Sequence, residues 1–290
     1  MIRIATRGSK LALAQAGQVA EMLGGAELVE ASSDGEPGDK SRFVRGVERA
    51  LLAGEAEVGV HSAKDLPGEM PEELEIAAVP AREDPADVWI GAGSSLEDAP
   101  EGARVGTASL RRRAQLLAAR PDLRVEDLHG NVDTRLRKLA EGDLDAIVLA
   151  AAGLRRLGRA GEIGFAIPVD AMVPAAGQGA LALQVRAGDA ATIEVVARVL
   201  DFDAARELTA ERAALALLEA SCATPVGVHA RVEGERLGID AFVGLPDGRE
   251  WLRDHVEGEA ADPASAGVLL AERLLSAGAR DLLDRAEAIA

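Results

Sequence analysis

Residues 57–65 read EVGVHSAKD. The segment begins as an apolar run, Val58 to Val60, and passes straight into His61, Ser62, Lys64 and Asp65. An apolar strand that ends in charged and small polar residues fits a buried parallel strand at the point where it leaves its sheet. The flanking sequence agrees. IRIA (2–5) reads as a first strand, and SKLALAQAGQVAEML (9–23) carries helical spacing at Leu11, Ala14, Val19 and Leu23, with Ser9 as its N-cap. AELVEA (26–31) is a second strand, SSDGEPGDK (32–40) a loop, and FVRGVERALLAG (43–54) a helix closed by Gly54. The order β-α-β-α-β predicts a parallel sheet covered by helices.

Downstream, LEIAAVPAREDPADVWIGAG (74–93) reads as two extended segments around a proline crossover. A second α/β set follows: RVGT, SLRRRAQLLAAR, LRVEDLHG, NVDTRLRKLAEG and LDAIVLAAAGLRRLG. ALALQVR (180–186) is a late strand that rejoins the first set, so two crossings link two lobes and form a hinge. From about residue 200 the pattern changes. A long helix, DFDAARELTAERAALALLEA, precedes three strand-like runs with LPDG as a turn, and then closing helices. The expected fold is therefore α/β: two hinge-linked lobes with parallel or mixed sheets, like periplasmic binding proteins, and a C-terminal α+β domain with a three-stranded antiparallel sheet. The expected boundaries are residues 1–82 with 177–198, residues 83–176, and residues 199–290.

Bulk composition narrows the function. A net charge of −17 and 2% aromatic residues argue against nucleic-acid binding, which needs a basic footprint or stacking platforms. No segment is apolar enough to span a bilayer or to form a signal-peptide core, so no membrane partner is expected and the expected location is the cytoplasm. The four histidines lie far apart and the single cysteine has no paired ligand, so no metal site is expected. One cysteine excludes an intramolecular disulfide. Against the acidic background, residues 104–138 hold nine basic and four acidic side chains, a local net charge of +5. That patch suggests an anionic ligand, although a solvated arginine-rich helix face would look the same.

Ligands of such sheets bind beyond the carboxyl ends of the strands. The residues there are Thr6-Arg7-Gly8-Ser9, His61 through Asp65, Gly106-Thr107-Ala108-Ser109 and His129-Gly130-Asn131. Ser9, Thr107 and Ser109 fall at helix N-termini, where free N–H groups bind anions. Arg111 and Arg112 sit in a first helical turn, against the helix dipole, a placement that makes sense if they fork onto carboxylates. Lysine is rare in this chain, so Lys64 beside Asp65 suggests a specific role, against the alternative of a surface ion pair. The lone Cys222 has three readings: a buried small hydrophobe, a nucleophile, or a covalent anchor on a loop.

Eight segments in register resemble the porphobilinogen deaminase (hydroxymethylbilane synthase) family: IATRGSKLALAQA, HSAKDLP, REDPADVW, GTASLRRRAQL, GNVDTRL, DAIVLAAAGLRRLG, VPAAGQGALALQVR and ERAALALLEASC. The resemblance covers essentially the whole chain. It implies a transferase that condenses four porphobilinogen molecules head to tail into linear hydroxymethylbilane with loss of ammonia, primed by a dipyrromethane cofactor. The cysteine that carries that cofactor through a thioether matches Cys222. By the same resemblance, Lys64, Ser109, Arg111, Arg112, Asp65, Arg135, Thr107 and Ser62 hold the cofactor, and Arg7, Ser9, His129, Arg135 and Arg156 hold substrate. Asp65 matches the catalytic aspartate, which contacts the pyrrole nitrogens and steadies the azafulvene cation. Lys40 and Phe43 match a mobile lid. Every pyrrole unit carries an acetate and a propionate, which agrees with the local excess of cations.

Three departures stand out. His129 occupies a position where relatives have arginine, the 31–42 loop is short, and Glu219-Ala220-Ser221 replaces glycines before Cys222. The competing reading is a non-catalytic two-lobed binding protein for a polycarboxylate or pyrrole; a degenerate paralogue that binds pyrroles without turnover is the third. The acidic surface without an evident apolar stripe leads us to expect a monomer.

Overall fold

The computed structural model describes residues 1–32, 42–221 and 224–289. Lys40 and Cys222 lie outside these residues, as does the side chain of Phe43. Along the chain run β1 (Arg3–Thr6), α1 (Lys10–Met22), β2 (Glu27–Glu30), α2 (Arg42–Leu52), β3 (Val58–Ser62), β4 (Leu74–Ala78) and β5 (Asp87–Gly91). There follow β6 (Arg104–Gly106), α3 (Leu110–Ala119), β7 (Arg124–Glu126), α4 (Val132–Ala140), β8 (Ala146–Ala150), α5 (Ala151–Arg156) and β9 (Phe165–Ile167). Then come β10 (Leu181–Arg186), α6 (Ala190–Val196), α7 (Phe202–Leu218), β11 (Val226–Glu233), β12 (Arg236–Gly244), β13 (Trp251–Glu259), α8 (Pro263–Ser276) and α9 (Ala279–Ile289).

Three sheets result. The first has the order β2-β1-β3-β10-β4, with β1 parallel to β2 and β3, and β10 antiparallel to both its neighbours. The second, β7-β6-β8-β5-β9, is likewise mixed. The third, β11-β12-β13, is an antiparallel meander. The chain thus leaves the first lobe after β4, builds the second from β5 to β9, and returns through residues 173–180 to insert β10 between β3 and β4.

Burial explains the pattern. Ile4, Val19, Val58, Leu183 and Val185 are fully buried in the first lobe; Trp89, Val105, Leu116 and Val148 are fully buried in the second. Beneath the third sheet, α7 and α8 close a core around Ala214, Leu218, Leu237, Ile239 and Leu270. Each large apolar side chain so buried contributes about 1.5–3 kcal/mol. Asn131 caps α4, accepting from the Thr134 N–H at 2.9 Å.

The end of α7 carries the backbone to the cysteine. Glu219 closes this helix in the left-handed region, at φ 54°, and is the sole non-glycine residue with positive φ among the described residues. Its neighbour Ala220 donates back to Leu215 O at 3.1 Å, as in a Schellman cap, where glycine is the usual residue. Beyond it, Ser221 and Thr224 hold each other: the Thr224 hydroxyl donates to Ser221 O at 2.7 Å, and the Ser221 N–H donates to that hydroxyl at 3.1 Å. The two residues that flank positions 222 and 223 are therefore fixed to one another. The cost of left-handed φ at a residue with a Cβ exceeds what an exposed Glu219–Arg280 ion pair at 3.0 Å returns. Glu219→Gly is therefore expected to raise stability by about 0.5–1 kcal/mol, read from the midpoint of urea unfolding at unchanged slope.

Candidate active site

At the end of β3 the chain makes one 3-10 turn, Ala63–Asp65. His61 points into the lobe, with Nε2 2.9 Å from Gln184 Oε1, and is 5% exposed. Burial, with Arg7 adding to it, pushes the imidazole down to about 4, so it is neutral at pH 7 and cannot serve as a cation. Ser62 Oγ accepts from Gln15 Nε2 at 2.8 Å. Lys64 Nζ donates to Gln178 Oε1 at 3.1 Å. Asp65 stands at the end of the turn with a side chain 43% exposed, and Arg7 Nη1 lies 3.7 Å from its Oδ2.

The second lobe answers with Asp87, the first residue of β5, which is completely buried. Arg111 Nη1 donates to its Oδ2 at 2.7 Å, and Arg112 Nε donates to its Oδ1 at 2.9 Å. The same guanidiniums also reach Val173 O at 2.8 Å and Val148 O at 3.0 Å. Burial alone would raise the Asp87 carboxyl, but the two arginines hold it well below the usual carboxylate range. Within the protein Arg111 and Arg112 fork onto Asp87, since a buried guanidinium without a partner is costly. One carboxylate between two guanidiniums still leaves an excess positive charge.

Side-chain oxygens take up part of the N–H groups at the helix starts. Ser9 Oγ accepts from the Ala12 N–H at 3.3 Å, and Ser109 Oγ is the N-cap acceptor for Arg112 N. Thr107, 1% exposed, accepts from the Ser109 N–H at 3.2 Å. Ser9 and Ser109 each cap a helix by taking up one N–H, and leave the other N–H groups of that first turn without an intrahelical partner.

Arg135 donates through Nε to Gly130 O at 2.8 Å. Burial, and then Arg112 nearby, push its guanidinium down to about 10. Arg156 donates through Nη2 to Gly179 O at 2.8 Å, while its Nε is buried without a hydrogen-bond partner among the described residues. His129 is exposed on the loop before Asn131, and no contact ties it to this group. At the mouth, Lys10 of the first lobe meets Asp133 of the second at 2.9 Å, and Arg159 holds the same carboxylate at 2.7 Å.

Lys64 is thus linked through Gln178 to Asp87, Arg111 and Arg112, and Arg112 acts in turn on Arg135. Four cations against the carboxylates of Asp65 and Asp87 leave a net positive charge that favours anions. A dipyrromethane with acetate and propionate arms fits that donor set. Burial first, then Arg112, pushes the Lys64 ammonium down to about 8, with Asp65 and Asp87 opposing and Arg111 adding to Arg112. Only its protonated form can hold an anion, so any such contribution is full well below pH 8, about half lost near pH 8 and gone well above it. The expected outcome is a fall in kcat/KM on the alkaline side of pH 8, with kcat less affected because a bound carboxylate pulls the lysine pKa back up. A profile of kcat/KM flat from neutrality through pH 9.5 would contradict it.

Sequence reading missed Asp87, Gln178 and Gln15. Asp87 and Gln178 do lie inside REDPADVW and VPAAGQGALALQVR, and a buried polar residue between apolar neighbours was the available signal.

Two family models match the chain: "Porphobilinogen deaminase, dipyromethane cofactor binding domain" over residues 2–194, and "Porphobilinogen deaminase, C-terminal domain" over residues 205–276. Among curated relatives, the porphobilinogen deaminase of Brevibacillus brevis is 42% identical, over 97% of this chain and 96% of its own. Those of Pelotomaculum thermopropionicum and a Roseiflexus species are 44% and 45% identical, covering 98% and 97% of this chain and 96% and 97% of their own. An L-cystine solute receptor of Neisseria gonorrhoeae superposes with a TM-score of 0.37 at 16% identity, over 68% of this chain and 85% of its own.

Proposed function

Since the chain belongs to the porphobilinogen deaminase family, we propose that Cys222 carries the dipyrromethane of that family, that Asp65 is its catalytic carboxylate, and that the interlobe cations receive the acidic arms. The reaction is the condensation of porphobilinogen into the linear tetrapyrrole hydroxymethylbilane with release of ammonia, performed by a transferase with a dipyrromethane cofactor. The binding-protein reading is not favoured.

When bound, the dipyrromethane supplies the free pyrrole carbon to which the first unit is joined. The residues of the chain do the rest. Lys64 and Arg135 face the gap with partly desolvated charge and bind acetate and propionate oxygens. Arg111 and Arg112, fixed by Asp87, add a positive field that favours carboxylates and disfavours a neutral analogue. Asp65 accepts a hydrogen bond from a pyrrole N–H through Oδ1 or Oδ2, and its negative charge stabilises positive charge that develops in the ring as ammonia departs. Arg156, with its unpartnered Nε, offers one further donor. Arg7, Ser62, Ser9, Thr107 and Ser109 shape and orient these groups, and His129 is assigned to substrate binding at the exposed loop before Asn131. Lys40 and Phe43 belong to the segment we assign as the lid. No helix among the described residues is long and apolar enough to cross a membrane. The net charge of −17 is the ground on which a monomer is proposed.

The single observation that carries this reading is the hydrogen-bonded link from Lys64, next to Asp65, through Gln178 to Asp87, Arg111 and Arg112 of the opposite lobe. Intact-mass measurement of the purified chain tests it, followed by peptide mapping and a porphobilinogen turnover assay. The expected result is added mass equal to a dipyrromethane on the peptide that contains Cys222, with turnover. A bare chain without turnover would overturn it.

A further inference from the structure

Gln178 lies on the strand of chain that returns from the second lobe to the first, and it is completely buried. Its side-chain oxygen accepts from Lys64 Nζ at 3.1 Å. Its side-chain nitrogen donates to Asp87 Oδ1 at 3.0 Å and to Pro85 O at 2.7 Å. Its main-chain oxygen accepts from Arg82 Nε at 3.0 Å, and Arg82 in turn forks onto Glu211 and Glu207 of α7. All three bodies of the fold thus meet at one residue.

The chemistry of the amide is specific to this place. The side chain must present an acceptor to an ammonium and donors to a carboxylate at once, while staying neutral. A carboxylate there would face Asp87 with like charge; an ammonium would face Lys64 with like charge. The flanking glycines show how tightly the residue is seated. Gly177, at φ +70°, would place a Cβ 2.8 Å from Lys64 N, and Gly179, at φ +89°, would place one 2.1 Å from Glu83 O. Only glycine lets the returning strand come this close to the Lys64 turn and to the outgoing crossing.

We infer that Gln178 is a positioning residue: its amide spans Lys64 of one lobe and the Asp87–Arg111–Arg112 cluster of the other, and so sets the separation of the cations that hold the acidic arms. The inference rests on the proposed function above. A change in the interlobe gap must stretch one end of this span, so losing it misplaces the cations without removing any of them.

The test uses the full-length chain with its adduct, as Gln178→Leu and Gln178→Glu beside wild type, with intact mass, thermal unfolding, kcat, KM and the pH profile of kcat/KM. The groups that act on Lys64 are Arg112, Asp65, Asp87 and Arg111, all unchanged in both variants. Gln178→Leu removes both ends of the span. It is expected to lower kcat/KM by about tenfold to a hundredfold and to move the alkaline limb to lower pH, because Lys64 loses its acceptor. Gln178→Glu keeps an acceptor for Lys64 but turns an anion toward it, so the limb moves to higher pH, while repulsion of Asp87 still lowers the rate. Opposite shifts, each of about half a pH unit or more, are a signature that mere loosening of the fold does not give. Limbs that coincide with wild type in both variants overturn the inference, whether or not the rate falls. Should Gln178→Leu not accumulate as folded protein, Gln178→Glu, of equal size, decides alone. A wild-type chain without adduct and without turnover sinks the functional reading and this inference together; wild-type activity with unmoved limbs sinks this inference only.

Discussion

Asp65→Ala is expected to lower porphobilinogen turnover by about a hundredfold to ten-thousandfold with little change in stability. The two halves of this expectation have separate causes. Asp65 stands half-exposed at the end of the turn after β3, and its ion pair is a 3.7 Å approach of Arg7. An exposed pair of this length contributes little to folding. For turnover the same carboxylate is the one negative group on the first lobe among the cations that act on Lys64. Without it, charge that develops on the pyrrole faces lysine and arginine with only Asp87, already engaged by two guanidiniums, to offset it. Asp65→Asn sharpens the test, since it keeps shape and a hydrogen-bond acceptor but loses charge. It is expected to recover binding of substrate, read as KM, and not kcat. Single-turnover and steady-state rates check this. An alanine variant that retains more than about a tenth of wild-type kcat, against the range expected for acid–base and electrostatic groups, would remove Asp65 from the chemistry.

The second large effect concerns stability. Glu211→Ala is expected to destabilise the fold by about 3–5 kcal/mol, the cost of leaving a buried ion pair half-empty. Glu211 is fully buried on α7. Its carboxylate receives Arg82 Nη1 at 2.8 Å and Nη2 at 3.2 Å, the Gly177 N–H at 2.6 Å and the Ala230 N–H at 2.8 Å. Burial opposes its ionisation, yet Arg82, with His229 beside it, holds the carboxyl below its ordinary value. Its stabilising effect is therefore present above the unfolded-state pKa near 4.5 and is lost as the pH falls through the folded value. Truncation leaves Arg82 with Glu207 at 3.2 Å and the Gln178 carbonyl at 3.0 Å, and deprives the Gly177 and Ala230 N–H groups of this acceptor. These groups join the lobes to the C-terminal domain, so that domain is expected to come apart first. Urea unfolding followed at Trp251, on the third sheet, and at Trp89, in the second lobe, separates the two events. A loss below about 1 kcal/mol would show that the hub is dispensable, since that is the scale of an exposed pair.

Much of the fold is legible in the sequence because period and punctuation are local. The run into His61-Ser62-Ala63-Lys64-Asp65 marks a strand end by itself, and Ser9, Ser109 and Asn131 mark helix starts within three residues of the groups they cap. β9, three residues long at a sheet edge, carries too little pattern to be seen. The partner of Arg111 and Arg112 escaped the sequence reading because Asp87 lies 24 and 25 positions earlier and is recognisable only once β5 is placed. Gln178 was missed for the same reason: its partners lie 114 and 91 positions away. The left-handed Glu219 was flagged as a missing glycine, but its φ is a property of the cap and not of the composition.

The placement of β10 between β3 and β4 has a consequence for biogenesis. During translation the N-terminal half cannot complete its own sheet, since the strand that fills its centre is encoded after the whole middle portion of the polypeptide. The middle lobe, contiguous from β5 to β9, is free to assemble while the nascent chain still lengthens. A nascent chain that has emerged from the ribosome only as far as residue 180 therefore displays a finished second lobe and an open, unzipped first one.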